Sequence, residues 1–179
     1  MDLRVTRTRR HIVTAFLELR AQKPLERITI KDLAARAEIN KATFYLHFHD
    51  IYDLSDTVER DIVSSVIAHI QKPENLVFQP SQAIRELTDA YLAQKERIDV
   101  VFSGEQRPHL VKLIEESIRQ RLYEKYPQWK DDLDTNIMLS YCIYGSYHAF
   151  MENRHYGINT ILPAICRISD AVKVLYRGD

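Results

Sequence analysis

The sequence predicts an all-helical protein, and three observations carry that expectation. Only four glycines occur in 179 residues, whereas sandwiches and barrels need glycine-bearing turns at short intervals. Long tracts of Leu, Ala, Glu, Arg and Lys, all good helix formers, place their apolar members at helical spacing. Hydrophobic residues make up 45% of the chain and charged residues 28%, a balance that builds a packed core and leaves no reason to expect bulk disorder. The length suits one sizeable domain, or a small module joined to a larger one.

The elements can be read in order. From about Thr8 to Ala21, Ile12, Val13, Phe16 and Leu17 recur at three- and four-residue spacing and mark one face of an amphipathic helix. Arg4, Arg7, Arg9 and Arg10 precede or open it. In "RITIKDLAARAEIN", Thr29 is placed as an N-cap with Asp32 three residues later, and Ile30, Leu33, Ala34 and Ala37 supply the inner face of a second, short helix. Asn40 then caps a third. Its stretch "INKATFYLHFHD" alternates polar and apolar residues as a buried strand would, but no partner strand is legible nearby. Phe44 and Phe48, at i and i+4, fit a short helix with an apolar inner face, which leaves Lys41, Thr43, Tyr45 and His47 outward. Asp50 caps a fourth helix from about Ile51 to Ile70. "QKPENLVFQP" reads as a loop, and further helices are expected over about Ser81 to Phe102, His109 to Tyr126, Asp131 to Arg154 and Asn159 to Tyr176.

Composition bounds the function classes. No run of eighteen apolar residues occurs, and "MDLRVTRTRR" lacks the apolar stretch of a secretory signal, so a cytoplasmic protein with no membrane span is expected. Cys142 and Cys166 lie in apolar helical contexts without metal-type spacing and read as buried thiols. His148 and His155 are seven apart, but no HExxH, Glu-x-x-His pair or acidic cluster accompanies them, so neither an enzyme nor a metal or cofactor site is expected. Formal net charge is zero, yet residues 1–50 hold ten Lys/Arg against six Asp/Glu, and the rest fifteen against nineteen. The short amino-terminal part is the positive one, and the local field decides which surface attracts a polyanion.

Three short helices, with a tight turn between the second and third, describe a helix-turn-helix. A helix entering the major groove presents short or bidentate groups near its N-terminus, which makes Lys41 the candidate for direct base contact and Ala42 small enough for close approach or a thymine methyl. "TIKDLAARAEINKATFYLHFHDIYDL" resembles the amino-terminal module of the TetR/AcrR transcriptional regulators over roughly residues 8–55. The resemblance implies that Thr43, Tyr45 and His47 are backbone-contacting positions, with Thr29 presenting a phosphate from its helix end and Arg7 and Arg9, beside Arg4 and Arg10, adding charge contacts or a minor-groove reach. Structural alternatives stand beside these roles: Tyr45 leaning on the fourth helix, His47 satisfying a buried carbonyl, the arginines forming a solvated tail. Two positions depart from the family pattern. Glu38 stands where the turn usually carries glycine, and Ile51 where the fourth helix usually opens with lysine, so one phosphate contact is expected to be missing.

The resemblance further implies two domains, a helix-turn-helix DNA-binding domain over 1–50 and a helical effector-binding and dimerisation domain over 51–179. The expected function is that of a homodimeric, sequence-specific regulator of a palindromic operator, a repressor released by a small molecule; the alternative is a ligand-independent DNA binder whose second domain only dimerises. Dimerisation is expected through the last two helices. The first of these carries Leu133, Ile137, Tyr141, Tyr144, His148 and Met151 on one side and Met138, Cys142, Gly145 and Ala149 on another; the second is apolar on more than one face, although a helix central to a monomeric bundle would also look so. Eight of the ten tyrosines lie beyond residue 90. Tyr91, Phe102, Tyr123, Trp129, Tyr141, Tyr144 and His148 are the candidate lining of an effector pocket, and they suit an ordinary core with its hydroxyls at the surface equally well.

Overall fold

The computed structural model describes residues 3–177, with side chains described over 5–174; the expectations placed on the side chain of Arg4 therefore lie outside the described residues. Among the described residues the chain is helical, with short 3-10 turns and no strand. It packs as two compact units, one holding the residues up to 62 together with 94–110, the other holding 63–93 and those from 111 onward. In packing terms the first unit thus extends beyond residue 50.

In the first unit, helix α1 (Leu3–Arg20) begins five residues earlier than its apolar periodicity does. Nothing in "LRVTRTRR" breaks a helix, and arginine is a good helix former, so the arginine run is helical and not an extended arm. Helices α2 (Ile30–Arg36), α3 (Lys41–Tyr45) and the first turns of α4 (Ile51–Ile67) follow. Ile12 and Phe16 of α1 meet a buried set that includes Leu33, Phe44 and Leu54, all without solvent contact. Ion pairs from Lys23 to Asp32, 2.7 Å, and from Arg36 to Glu18 lie outside that core.

The helix expected over Ser81 to Phe102 is interrupted. α5 (Asn75–Phe78) is a single turn inside the expected loop, α6 (Pro80–Ala93) ends before Gln94, and α7 (Lys95–Val101) restarts in the first unit. No glycine or proline marks the break. At the other end of α7, Arg20 of α1, itself buried, donates from Nη2 to the Val101 carbonyl at 2.9 Å and to Ser103 Oγ at 3.0 Å. Both groups lie at the end of α7, where helix carbonyls lack partners of their own. α8 (Arg107–Lys125) starts in the same unit, and His109 lies 3.5 Å from the buried carboxylate of Glu59, which also accepts from Ser55. Burial pushes the Glu59 carboxyl above its ordinary range.

In the second unit α9 (Leu133–Asn153) and α10 (Ile158–Arg177) form an antiparallel pair across a short 3-10 turn, with α6 packed on α10. Asp132 caps α9 by accepting from the Thr135 amide at 2.9 Å. Arg121 of α8 serves the far end of α4, donating to the Ile67 and Ile70 carbonyls at 2.7 and 3.3 Å. Cys142 and Cys166 are buried free thiols, and burial raises the Cys142 thiol to about 11. His155 lies beyond the end of α9, in the 3-10 turn Arg154–Tyr156, and so does not share a helix with His148. Among the described residues no helix is long and apolar enough to cross a membrane.

Candidate nucleic-acid interface

The geometry of α3 is set by local bonds at both of its borders. Before it, α2 is capped by Thr29, whose Oγ1 accepts from the Asp32 amide at 3.1 Å. α2 then ends in a Schellman turn: Ile39 N–H reaches the Ala34 carbonyl at 3.0 Å, Glu38 N–H reaches Ala35, and Glu38 takes a φ of 55°. The left-handed angle is what redirects the chain within a few residues, and in glutamate it is strained. Replacing Glu38 by glycine is expected to stabilise the chain by about 0.5–1 kcal/mol, the relief of strain less the entropy glycine loses on folding. A urea denaturation midpoint that stays put or falls would contradict this.

Asn40 then caps α3, its Oδ1 accepting from the Thr43 amide at 2.7 Å and from the Thr43 hydroxyl at 2.9 Å. The helical bonding continues past Tyr45, since the amides of Leu46, His47 and Phe48 all donate back to carbonyls of residues 42–44. Phe44 and Phe48 fall on the inner side, their ring centroids 5.9 Å apart, and both are buried. At the far border Asp50 accepts from the Tyr52 and Asp53 amides at 2.8 Å while Asp53 accepts from the His49 amide at 2.9 Å, a reciprocal capping arrangement that opens α4.

With both phenylalanines inward, the outer face follows. Lys41 and Ala42 are exposed, and Tyr45 is 56% exposed, its ring edge-on to Phe44. Thr43 and His47 are half-buried at the flanks. The hydroxyl proton of Thr43 is spent on Asn40, so in this rotamer Thr43 offers lone pairs rather than a donor. Thr29 is exposed at the start of α2; beside it the Asp32 carboxyl is held below its usual range by Lys23 and by Thr29 itself, and Lys23 offsets its charge. Arg7 is exposed on α1, and the Arg9 guanidinium lies over the Phe48 ring, 5.6 Å from its centroid. Ile51 is buried, so the position where the family pattern has lysine belongs to the core. One exposed residue on this face escaped the sequence reading: Leu46, 83% exposed. The signal was available, because a helix that turns residues 44 and 48 inward must turn 46 outward.

The expected effector residues are not gathered in one place. A cavity of about 70 Å³ lies wholly in the second unit, bounded by Ile84 and Tyr91 of α6, Val111 and Ile114 of α8, Ile143 and Phe150 of α9 and Ile165 of α10. Of the seven candidates only Tyr91 lines it, edge-on to Phe150. Tyr141 and Tyr144 border an open depression with Arg119 and Asn136; Tyr123 donates to Asn136; Trp129 stacks on Tyr126 at 4.4 Å; His148 is exposed; Phe102 is buried in the first unit. Of the hydroxyl residues at the cavity wall, Thr88 and Ser146 donate to carbonyls of their own helices, and Tyr91 and Tyr147 bring two phenols. No charged side chain lines it.

A capped three-helix unit presenting a short basic and aromatic helix face has the architecture of a helix-turn-helix module. Residues 12–57 match the model of the bacterial regulatory proteins of the tetR family, so this amino-terminal part of the chain is similar to their DNA-binding module. An uncharacterized HTH-type transcriptional regulator of Bacillus subtilis (strain 168), YxbF, is 35% identical to it over 71 residues, 39% of this chain and 19% of the relative. The chain thus spans about a fifth of the length of that relative. No solved structure matches the chain.

Proposed function

We propose that the chain binds a two-fold-symmetric operator as a homodimer through α3, and acts as a repressor that a small uncharged molecule releases. The observation that carries the DNA-binding reading is the outer face of α3, where Lys41, Ala42 and Tyr45 stand exposed on a helix whose other side is locked into the core by Phe44 and Phe48. Lysine there suits the acceptor edge of guanine, and alanine admits close approach. Support for a dimer comes from α9 and α10. Leu133, Ile137 and Tyr141, one turn apart along α9, are 69%, 58% and 55% exposed, and Ile168 and Val174 of α10 are exposed as well. Ile161 and Ile165 face the chain's own core. A helix that is apolar on two sides, with one side buried by its own unit, suits a partner on the other.

The cavity supports an effector that is neutral and hydrocarbon-rich, because its lining is mainly aliphatic and a charge there would meet no counter-ion. A benzene-sized guest needs roughly 150 Å³, about twice the space present, so occupancy displaces the lining helices. A ligand shifts conformation only by its differential affinity for two arrangements, and a guest that must push its walls apart has one.

Selection of bound duplexes from a random pool tests the reading. The expected result is a palindrome with half-sites about one helical turn apart or a multiple of it, bound with an affinity that falls steeply with salt. Lys41→Ala is expected to change base preference more than Thr43→Ala, whose hydroxyl is turned to Asn40. No enriched sequence, or an affinity indifferent to salt, overturns the proposal. With the operator in hand, indole should release it and benzoate should not; release by neither leaves the ligand-independent binder as the better description.

A further inference from the structure

Leu46 is the most exposed large apolar side chain among the described residues. Its backbone is firmly placed: its N–H is shared between the Ala42 and Thr43 carbonyls, both at 3.3 Å. The bond to Ala42 sets Leu46 one turn beyond that residue, as Tyr45 stands one turn beyond Lys41. The four side chains therefore share one face, with Lys41 and Ala42 leading and Tyr45 and Leu46 behind. Nothing in the first unit gains from a leucine here, because Phe44 and Phe48 already fill the inner side. A scattered surface leucine needs no explanation; one centred on the face that the proposed function turns toward base edges does.

The floor of the major groove carries one methyl group, that of thymine C5; the other features by which its base pairs are told apart are hydrogen-bond donors and acceptors. A branched four-carbon side chain one turn along the helix reaches further than the methyl of Ala42 and has no capacity to satisfy a polar edge. We propose that Leu46 is a specificity-determining residue that packs against the C5-methyl of one thymine in each half-site. The proposal rests on the DNA-binding reading above and adds to it a second base read by apolar contact, next to the one read by Lys41. It also explains an exposed leucine on a face rich in polar groups: desolvating a cytosine amino group or a guanine carbonyl against it leaves that group without a partner, so the contact discriminates by exclusion as well as by attraction.

Deletion of one methyl from the DNA tests this without touching the protein fold. In an operator selected from the random pool, each thymine is replaced in turn by deoxyuridine, symmetrically in both half-sites, and affinity is measured for the wild-type chain, Leu46→Ala and Leu46→Met. The wild type is expected to lose about fourfold per half-site at one thymine only, the worth of one buried methyl group. Leu46→Met keeps that penalty; Leu46→Ala loses it, binding the thymine and uracil operators alike, with an unchanged thermal midpoint because the side chain is exposed. A wild type indifferent to every uracil, or a penalty of equal size in Leu46→Ala, overturns the assignment while leaving DNA binding intact. If no operator emerges from the pool, the DNA-binding reading falls and takes this one with it.

Discussion

Ile137→Asp is expected to leave the chain folded but monomeric, and to lower operator affinity by at least two orders of magnitude. Ile137 is 58% exposed near the middle of the run Leu133, Ile137, Tyr141 on α9, so within one copy the substitution removes little packing and should cost about 0.5 kcal/mol. In a two-fold interface the same surface patch occurs on both subunits, so one substitution brings in two carboxylates. Each buried charge without a partner costs about 3–5 kcal/mol, enough to dissociate a dimer of moderate affinity. A single helix-turn-helix covers only a few base pairs, so a monomer keeps one half-site and loses the gain from engaging two at once. Sedimentation velocity and operator titration measure the two effects separately. A variant that remains dimeric would show that this face of α9 is not where copies meet; a monomer that retains full affinity would show that pairing is not needed for binding.

Phe44→Ala is expected to destabilise the first unit by about 3–5 kcal/mol. The Phe44 ring is fully buried, packed 5.9 Å from Phe48 and 5.6 Å from Tyr45, and the helix that carries it is only five residues long. So short a helix has negligible stability by itself and is held by tertiary packing, and the void left by the ring cannot be filled by a chain segment capped tightly at both borders. Set against the roughly 5–15 kcal/mol of an ordinary domain, the loss leaves DNA binding weak or absent at modest temperature. Chemical denaturation followed by circular dichroism gives the number, and a change below 1 kcal/mol would mean that the ring is not the anchor of α3. Leu46→Ala, two residues away and outward, is the natural control.

How much of this was legible follows from the range over which each feature is decided. Thr29, Asn40 and Asp50 were readable as caps because a cap joins a side chain to an amide two or three residues on, and all three accept the expected bonds. Phe44 and Phe48 were readable as an inner pair because one helical turn separates them. The same rule places Leu46 outside, but its apolar character within the alternating stretch hides that, and only its 83% exposure shows it. For α1, the arginines looked like an arm because periodicity of apolar residues was the only signal for where the helix starts, whereas arginine itself carries the helix back to Leu3. The aromatic residues beyond position 90 illustrate the opposite limit. Their composition suits a pocket, but Trp129 stacks on Tyr126, Tyr123 bonds to Asn136, and the cavity is lined mainly by aliphatic residues of α6, α8, α9 and α10.

By itself, then, the sequence determined the helical class, the caps and turn of the helix-turn-helix, and the outward set led by Lys41, since each is fixed by bonds or spacings within about one helical turn. Only the tertiary structure decided that the chain breaks at Gln94, that residues 94–110 pack with the amino-terminal unit through Arg20, which apolar side of α9 and α10 is left uncovered, and where the cavity lies. These depend on partners tens of residues away along the chain, and burial is a property of what finally packs against a face, which local periodicity does not specify.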